Sequence, residues 1–388
     1  MLGRPTLRLD VNMKISKRKN NKDDGKKAFQ KVTSVLKEVL GRASNMVCNR
    51  KLLSDTAAVT IKAASSRSSI HGARKRMKRG KSRRQIARVL EGLDLKKVED
   101  ETNAVLRDGV RKDFGGQILD AAIDIHAVPY HGGPHERKEE IGRSKPKDGT
   151  TKFHMIATAY LVGKRGKRFT MAVTFVSLGT SMRSVVQELL YLLKRCGITI
   201  RRLLLDRGFY AIDVVKLLMR LNIGFIIPMR GGRLKKKRGS YSTAYTMKST
   251  KDGKSVSQLV NAVSVIKYNK GKRFKHHGAM QLCFITYRID IDPRRIAEFY
   301  RKRFGIESSY KLNKAIRPRT SSRNPAIRMF LFGAAAIIQN IWVEIKLVFC
   351  RNVAKTSRWM VTQHDFVDIL LHWVRKLYGE EVRLEKHK

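Results

Sequence analysis

Arg202-Leu203-Leu204-Leu205-Asp206-Arg207-Gly208-Phe209-Tyr210 decides how this chain is read. Three consecutive leucines are an apolar run of strand length, and a run without polar alternation belongs to a strand covered on both faces. The run stops at an aspartate followed closely by a glycine, so Asp206 sits where strand gives way to turn. Before it, residues 181–196 place Val185, Val186, Leu189, Leu190 and Leu193 along one side of a helix. After it, 210–221 reads as a second helix and 223–228 as a short buried strand. Further upstream lie three strands, at 117–128, 153–162 and 169–176, with a loop rich in glycine, proline and charge between the first two.

Three strands followed by helix, strand, helix and strand is the element order of an RNase H-like mixed sheet. The fold class expected is therefore α/β (α+β), with helices flanking that sheet. A second aspartate lies in Ala121-Ala122-Ile123-Asp124-Ile125-His126. Asp120 shares its strand face by alternation, so either acid could face a site; Asp124 is preferred because it lies nearer the turn at Pro129. In the last third, Tyr300, Arg303, Glu307 and Lys314 fall within a sector of about 60° on a continuous helix at ~100° per residue. A carboxylate flanked by two cations and a phenol suits a metal ion held against a phosphodiester. Two-metal phosphoryl transfer needs carboxylates converging from separate elements, with the ions about 3.5–4 Å apart. Two Mg²⁺ ions fit that chemistry, with Mn²⁺ as the alternative.

The chain of 388 residues has 83 Lys+Arg against 32 Asp+Glu, a formal charge of +51. Such self-repulsion calls for a polyanionic partner, and double-stranded DNA is the natural one. Eight of the eleven residues at 74–84 are cationic, among them Arg74, Lys75, Arg76, Lys78 and Arg79. They read as a phosphate-contacting arm or as a solvated linker. Lys235, Lys236 and Lys237 open a stretch of short β-type runs that presents further positive charge, and Arg207 is either a phosphate contact or a local ion-pair partner. The hydrophobic share of 42% suffices for real cores, which excludes a disordered basic tail. Cys48, Cys196, Cys283 and Cys350 have neither disulfide-framework nor metal-site spacing. His131 and His135 have half the spacing of a zinc site, with no second pair. The first residues lack an apolar signal core, and the apolar run at 329–349 is interrupted by Gln339, Asn340, Glu344 and Lys346. A buried helix and no membrane partner are expected, with a cytoplasmic, nucleoid-associated location.

The spacing Tyr300, Arg303, Glu307, Lys314 resembles the Tyr-x2-Arg-x3-Glu-x6-Lys signature of insertion-sequence transposases of the IS-four type. Asp206-Arg207-Gly208-Phe209-Tyr210 is similar to that group's second-aspartate motif, and Asp124-Ile125-His126-Ala127-Val128-Pro129-Tyr130 to the first-aspartate strand of its archaeal relatives. The resemblance covers about 116–350. It implies an RNase H-like fold and a triad of Asp124, Asp206 and Glu307 as catalytic metal ligands. It further implies Arg303 and Lys314 as phosphate grips, Tyr300 as the residue positioning a terminal nucleotide, and a homodimer on paired DNA ends.

The organisation expected is a basic helical DNA-binding domain at 1–110 and a catalytic domain split into 111–230 and 291–350. A β-rich insertion at 231–290 divides it, and a C-terminal helical region follows at 351–388. The function expected is cleavage of element ends to free 3′-OH groups and their joining to target DNA. A DNA-binding protein without catalysis and a nuclease without strand transfer are the alternatives.

Overall fold

The computed structural model describes residues 21–162, 169–230, 239–251, 253–268, 279–352 and 361–381. Five helices lead: α1 (Asn21–Ala43), α2 (Arg50–Ser65), α3 (Ile70–Lys75), α4 (Arg83–Glu91) and α5 (Leu95–Phe114). Strands β1 (Ile118–Pro129), β2 (Gly142–Lys147), β3 (Thr150–Val162) and β4 (Thr170–Val176) follow, then α6 (Met182–Arg195), β5 (Thr199–Leu205), α7 (Ile212–Arg220) and β6 (Gly224–Pro228). The chain continues through β7 (Tyr241–Lys251), β8 (Lys254–Tyr268), β9 (Ala279–Tyr287), α8 (Pro293–Arg301), α9 (Phe304–Ile316), α10 (Pro325–Asn352) and α11 (Gln363–Tyr378).

The strands form one mixed sheet ordered β2-β3-β1-β5-β6-β9-β8-β7, with β4 also paired to β3. β1 is antiparallel to β3 but parallel to β5, and β5 is parallel to β6. Alternation along β1 explains why both faces are covered. Ala121 and Ile123 join the core under α6 and α7, while Ala122 joins Leu204, Ile226, Ile296, Tyr300 and Ile306 under α8 and α9. One strand was not anticipated. β2 is almost wholly exposed and charged, so its residues carry none of the apolar alternation that marks a half-buried strand.

The division into domains differs from the expected one. Within 231–290, the described strands β7, β8 and β9 continue the sheet, because β9 pairs with β6 from Phe225↔Tyr287 to Pro228↔Phe284, β8 with β9 and β7 with β8. At the other end, α11 packs into the same core as α1, α2 and α10, which unites Phe29, Leu36, Ile61, Phe330 and Phe366. Over Pro325–Lys346, α10 is long and apolar enough to cross a membrane, but 94% of its apolar window is buried inside the protein. It is the central helix of that core.

Polar side chains join the helices to the sheet. Asn103 of α5 donates to the Val173 carbonyl at 2.7 Å and accepts from its N–H at 2.9 Å, acting as a strand partner for β4. Asn340 of α10 does the same for Thr170, and Glu99 accepts from the Phe175 N–H at 2.6 Å. Backbone groups of β4 at Thr170, Val173 and Phe175 are therefore paired without a further strand.

Candidate active site

The parallel register of β1 and β5 sets Ile123 opposite Leu205, so Asp124 and Asp206 are the next residues on adjacent strands. Asp206 ends its strand by accepting from the Gly208 N–H at 2.8 Å, closing one 3-10 turn. A Cβ on Gly208 would meet the Asp206 Oδ1 at 2.9 Å, so glycine is what lets the carboxylate turn back. Arg230 straps this turn from outside, donating to the carbonyls of Arg207 and Gly208 at 3.1 and 3.4 Å. Arg207 itself is exposed.

The third carboxylate arrives on α9. The continuous helix expected through 300–314 is broken instead. The N–H groups of Lys302, Arg303, Gly305 and Ile306 bond three residues back, tightening the chain between α8 and α9. The four signature residues therefore share no single straight face. Two tyrosines fasten the two halves to the sheet. Tyr300 donates to the Leu205 carbonyl at 2.9 Å, next to Asp206. Tyr310 donates to the carbonyl of Asp124 at 3.1 Å and lies 2.6 Å from the hydroxyl of Thr158, which pairs with Asp124 across β1 and β3. Glu307 projects from between these anchors and is largely exposed.

Arg303 joins the carboxylates. Buried to 7% exposure, it donates to Asp124 Oδ2 at 3.3 Å and to Glu307 Oε1 at 2.9 Å. Burial pushes the Asp124 carboxyl up to about 6; Arg303 opposes the shift, and the negative charges of Asp206 and Glu307 add to it. Two residues along β1, His126 is held down at about 3 by burial and by the nearby Arg317, Lys147 and Lys314, so it is neutral at physiological pH. Asp120 belongs to a different arrangement. Arg202 grips it at 2.9 and 2.8 Å and Arg201 at 3.1 and 3.3 Å, and these bonds outweigh burial to keep it below the usual carboxylate range.

The remaining signature residues sit as follows. Tyr300 is 8% exposed with its hydroxyl engaged and its ring 5.1 Å from Phe284, so it is a packing and anchoring residue here rather than one open to a nucleotide. Lys314 is exposed and pairs with Asp148 at 3.2 Å. The basic run at 74–84 spans the end of α3, a constrained loop and the start of α4, and is not a free arm. The Arg74 guanidinium donates to the carbonyls of Met77, Gly80 and Lys81, and Tyr378, Glu380 and Glu381 clasp the loop from the far end of the chain. Lys75, Arg76, Lys78, Arg79, Arg83 and Arg84 remain exposed around it. Lys235, Lys236 and Lys237 lie outside the described residues. Sequence reasoning passed over Tyr310 and Arg230. The signal for Tyr310 was its place three residues after Glu307, on the same helical face.

Among the described residues no three of His, Cys, Asp and Glu stand close enough to cage an ion by themselves. The donor set nonetheless suits a hard divalent cation. It is all carboxylate oxygen, it is open on the Glu307 side, and a cation there would offset both the burial that chiefly raises Asp124 and the repulsion from Asp206 and Glu307 that adds to it. Asp124, Asp206 and Glu307 would hold such an ion, with phosphate and water completing its coordination.

A family model, the transposase DDE domain, matches residues 116–341. The chain belongs to the DDE transposases. It is thereby an enzyme of metal-dependent DNA strand cleavage and transfer. The matched span runs from β1 to α10 and includes all three carboxylates. Among solved structures, the chain is similar to a piggyBac transposase determined by cryo-EM as a synaptic complex with hairpin DNA. That similarity has 13% identity and a TM-score of 0.50, and it covers 92% of this chain and 80% of that one. It shows a shared fold. Comparison with curated proteins gives no match.

Proposed function

We propose that this DDE transposase is of the IS-four type and moves an insertion sequence by cutting at its ends and joining the freed 3′-OH groups to target DNA. The observation that carries the proposal is the meeting of Asp124 and Glu307 on the Arg303 guanidinium, with Asp206 on the adjacent strand. Two Mg²⁺ ions, or Mn²⁺, would activate the attacking oxygen and stabilise the departing one.

The protein's own groups do the rest. The three carboxylates define where the scissile phosphate sits; α9, anchored by Tyr310 and preceded by the α8 anchor Tyr300, fixes the position of Glu307. Arg303 can turn from the carboxylates to a phosphate oxygen, and Lys314 to a neighbouring one. In the first step water attacks phosphorus and the 3′ oxygen leaves. In the second, that 3′-OH attacks a target phosphodiester and an oxygen of the target strand leaves. The exposed cations around the loop of Arg74 to Arg79 would hold the element end. A homodimer on paired ends and a cytoplasmic, nucleoid-associated location complete the proposal, supported by the charge of +51 and by the synaptic state in which the piggyBac structure was determined.

The test uses a plasmid carrying the element ends and a second, target plasmid. Mg²⁺-dependent release of 3′-OH ends and their appearance joined to the target are expected. Cleavage without joining would leave a nuclease, and DNA binding alone would leave a non-catalytic protein.

A further inference from the structure

β2 and β3 form a hairpin whose tip is Asp148-Gly149, both with positive φ (50° and 76°), the pattern of a tight two-residue turn. The tip touches the catalytic helix, where Asp148 accepts from Lys314 at 3.2 Å. β2 is an edge strand with Arg143, Lys145 and Lys147 all exposed. Arg143 is set directly opposite Lys152 across the strand pair. Like charges so placed destabilise a hairpin. Asp148 at the tip is occupied by Lys314, and among the described residues none of the three β2 cations has a carboxylate partner.

Protection of an edge from aggregation explains one such charge and Pro146, but not a row of cations with a like-charged residue built in across from it. A polyanion lying along the strand resolves both. We propose that the β2–β3 hairpin is a phosphate-backbone contact for duplex DNA, extending the track beyond Lys314 on the side of the scissile phosphate. The inference rests on the transposase reading above and adds a surface to it. Arg143, Lys145 and Lys147 would each neutralise one phosphate, without reading bases.

The test is a salt titration of duplex affinity by fluorescence anisotropy, comparing the wild type with R143S/K145S/K147S. Each neutralised phosphate contributes about −0.9 to the log–log slope, so the variant's slope should be shallower by about 2–3. The charge-conserving R143K/K145R/K147R should keep the wild-type slope. An unchanged slope in the serine variant overturns the hairpin contact while leaving the transposase reading intact. A wild type without salt dependence would instead sink DNA binding as a whole. Should the triple variant fail to fold, K145S alone, at an exposed position, should lose about 0.9 of slope; no loss there overturns the proposal equally.

Discussion

The Tyr310 hydroxyl donates to the main-chain carbonyl of Asp124 at 3.1 Å, tying the helix that carries Glu307 to the strand that carries Asp124. This bond sets the spacing of two carboxylates that are 183 residues apart in sequence. Tyr310→Phe keeps the ring against His126 and removes the hydroxyl's two bonds, to the Asp124 carbonyl and to the Thr158 hydroxyl. We expect stability to fall by about 1 kcal/mol and cleavage by roughly 10-fold to 100-fold, as for a misplacement on the order of 1 Å. End binding should survive. Single-turnover cleavage set beside anisotropy separates the two, and wild-type cleavage would show that the bond does not position the site.

Asp124→Asn and Asp120→Asn should behave oppositely. Asp124→Asn removes a ligand and should abolish Mg²⁺-dependent cleavage. Asp120→Asn leaves Arg201 and Arg202 without their counter-charge, so it should lower the melting temperature and spare appreciable activity. Loss of cleavage in Asp120→Asn with an active Asp124→Asn would move the site four residues along β1.

The raised Asp124 pKa gives a pH dependence with a definite sign. Its folded value, about 6, exceeds the unfolded value near 4, so the cost of ionising it grows as pH rises from about 4 to about 6 and is fully present above that. Without metal, Asp124→Asn should therefore be more stable than wild type at pH 8, by on the order of 1 kcal/mol, with the difference fading below pH 5. Adding Mg²⁺ should raise the wild-type melting temperature more at pH 8 than at pH 5. Scanning calorimetry at the two pH values decides it; equal metal shifts would contradict the assignment.

Glu307→Gln preserves shape and should eliminate both cleavage and joining while end binding remains. Arg303→Ala should damage the chemical step and also destabilise the metal-free protein, because Asp124 and Glu307 lose the cation between them. Lys314→Ala should only slow the reaction, since its present partner is the exposed Asp148. If Lys314→Ala proved more damaging than Arg303→Ala in purified assays, the order of the two grips would be reversed.

Asn103→Ala should cost about 2–4 kcal/mol, because it leaves a buried N–H and a buried C=O of Val173 unpaired. Chemical denaturation measures it. A loss below about 0.5 kcal/mol would mean that the edge of β4 rearranges to find other partners.

What was legible in the sequence had local causes. β1, β5, α6 and α7 show themselves through apolar runs and periodicity, and Asp206 through the glycine two residues on. What stayed hidden depended on distant partners. β2 is held by its neighbour β3 and not by burial. The helical reading of 300–314 carried no sign of the break, because Lys302 and Arg303 keep helical backbone angles while their N–H groups bond one residue short. The grouping of α11 with α2 rests partly on Tyr378 donating to Asp55, 323 residues away, and no window along the chain contains that. Arg74 reads as a free cation in any composition argument, yet it is the residue that closes the basic loop.

The amide pairing of Asn103 and Asn340 with β4 turns the helical body into a fixed extension of the sheet. A DNA end gripped by the cations around α3 and α4 would then be cut at a set span from that grip, much as a ruler marks a length. Base pairs inserted between the bound sequence and the cleavage point would not be absorbed by a linker. They would carry the scissile bond past Asp124 and Glu307, and turn it around the duplex axis as they did so.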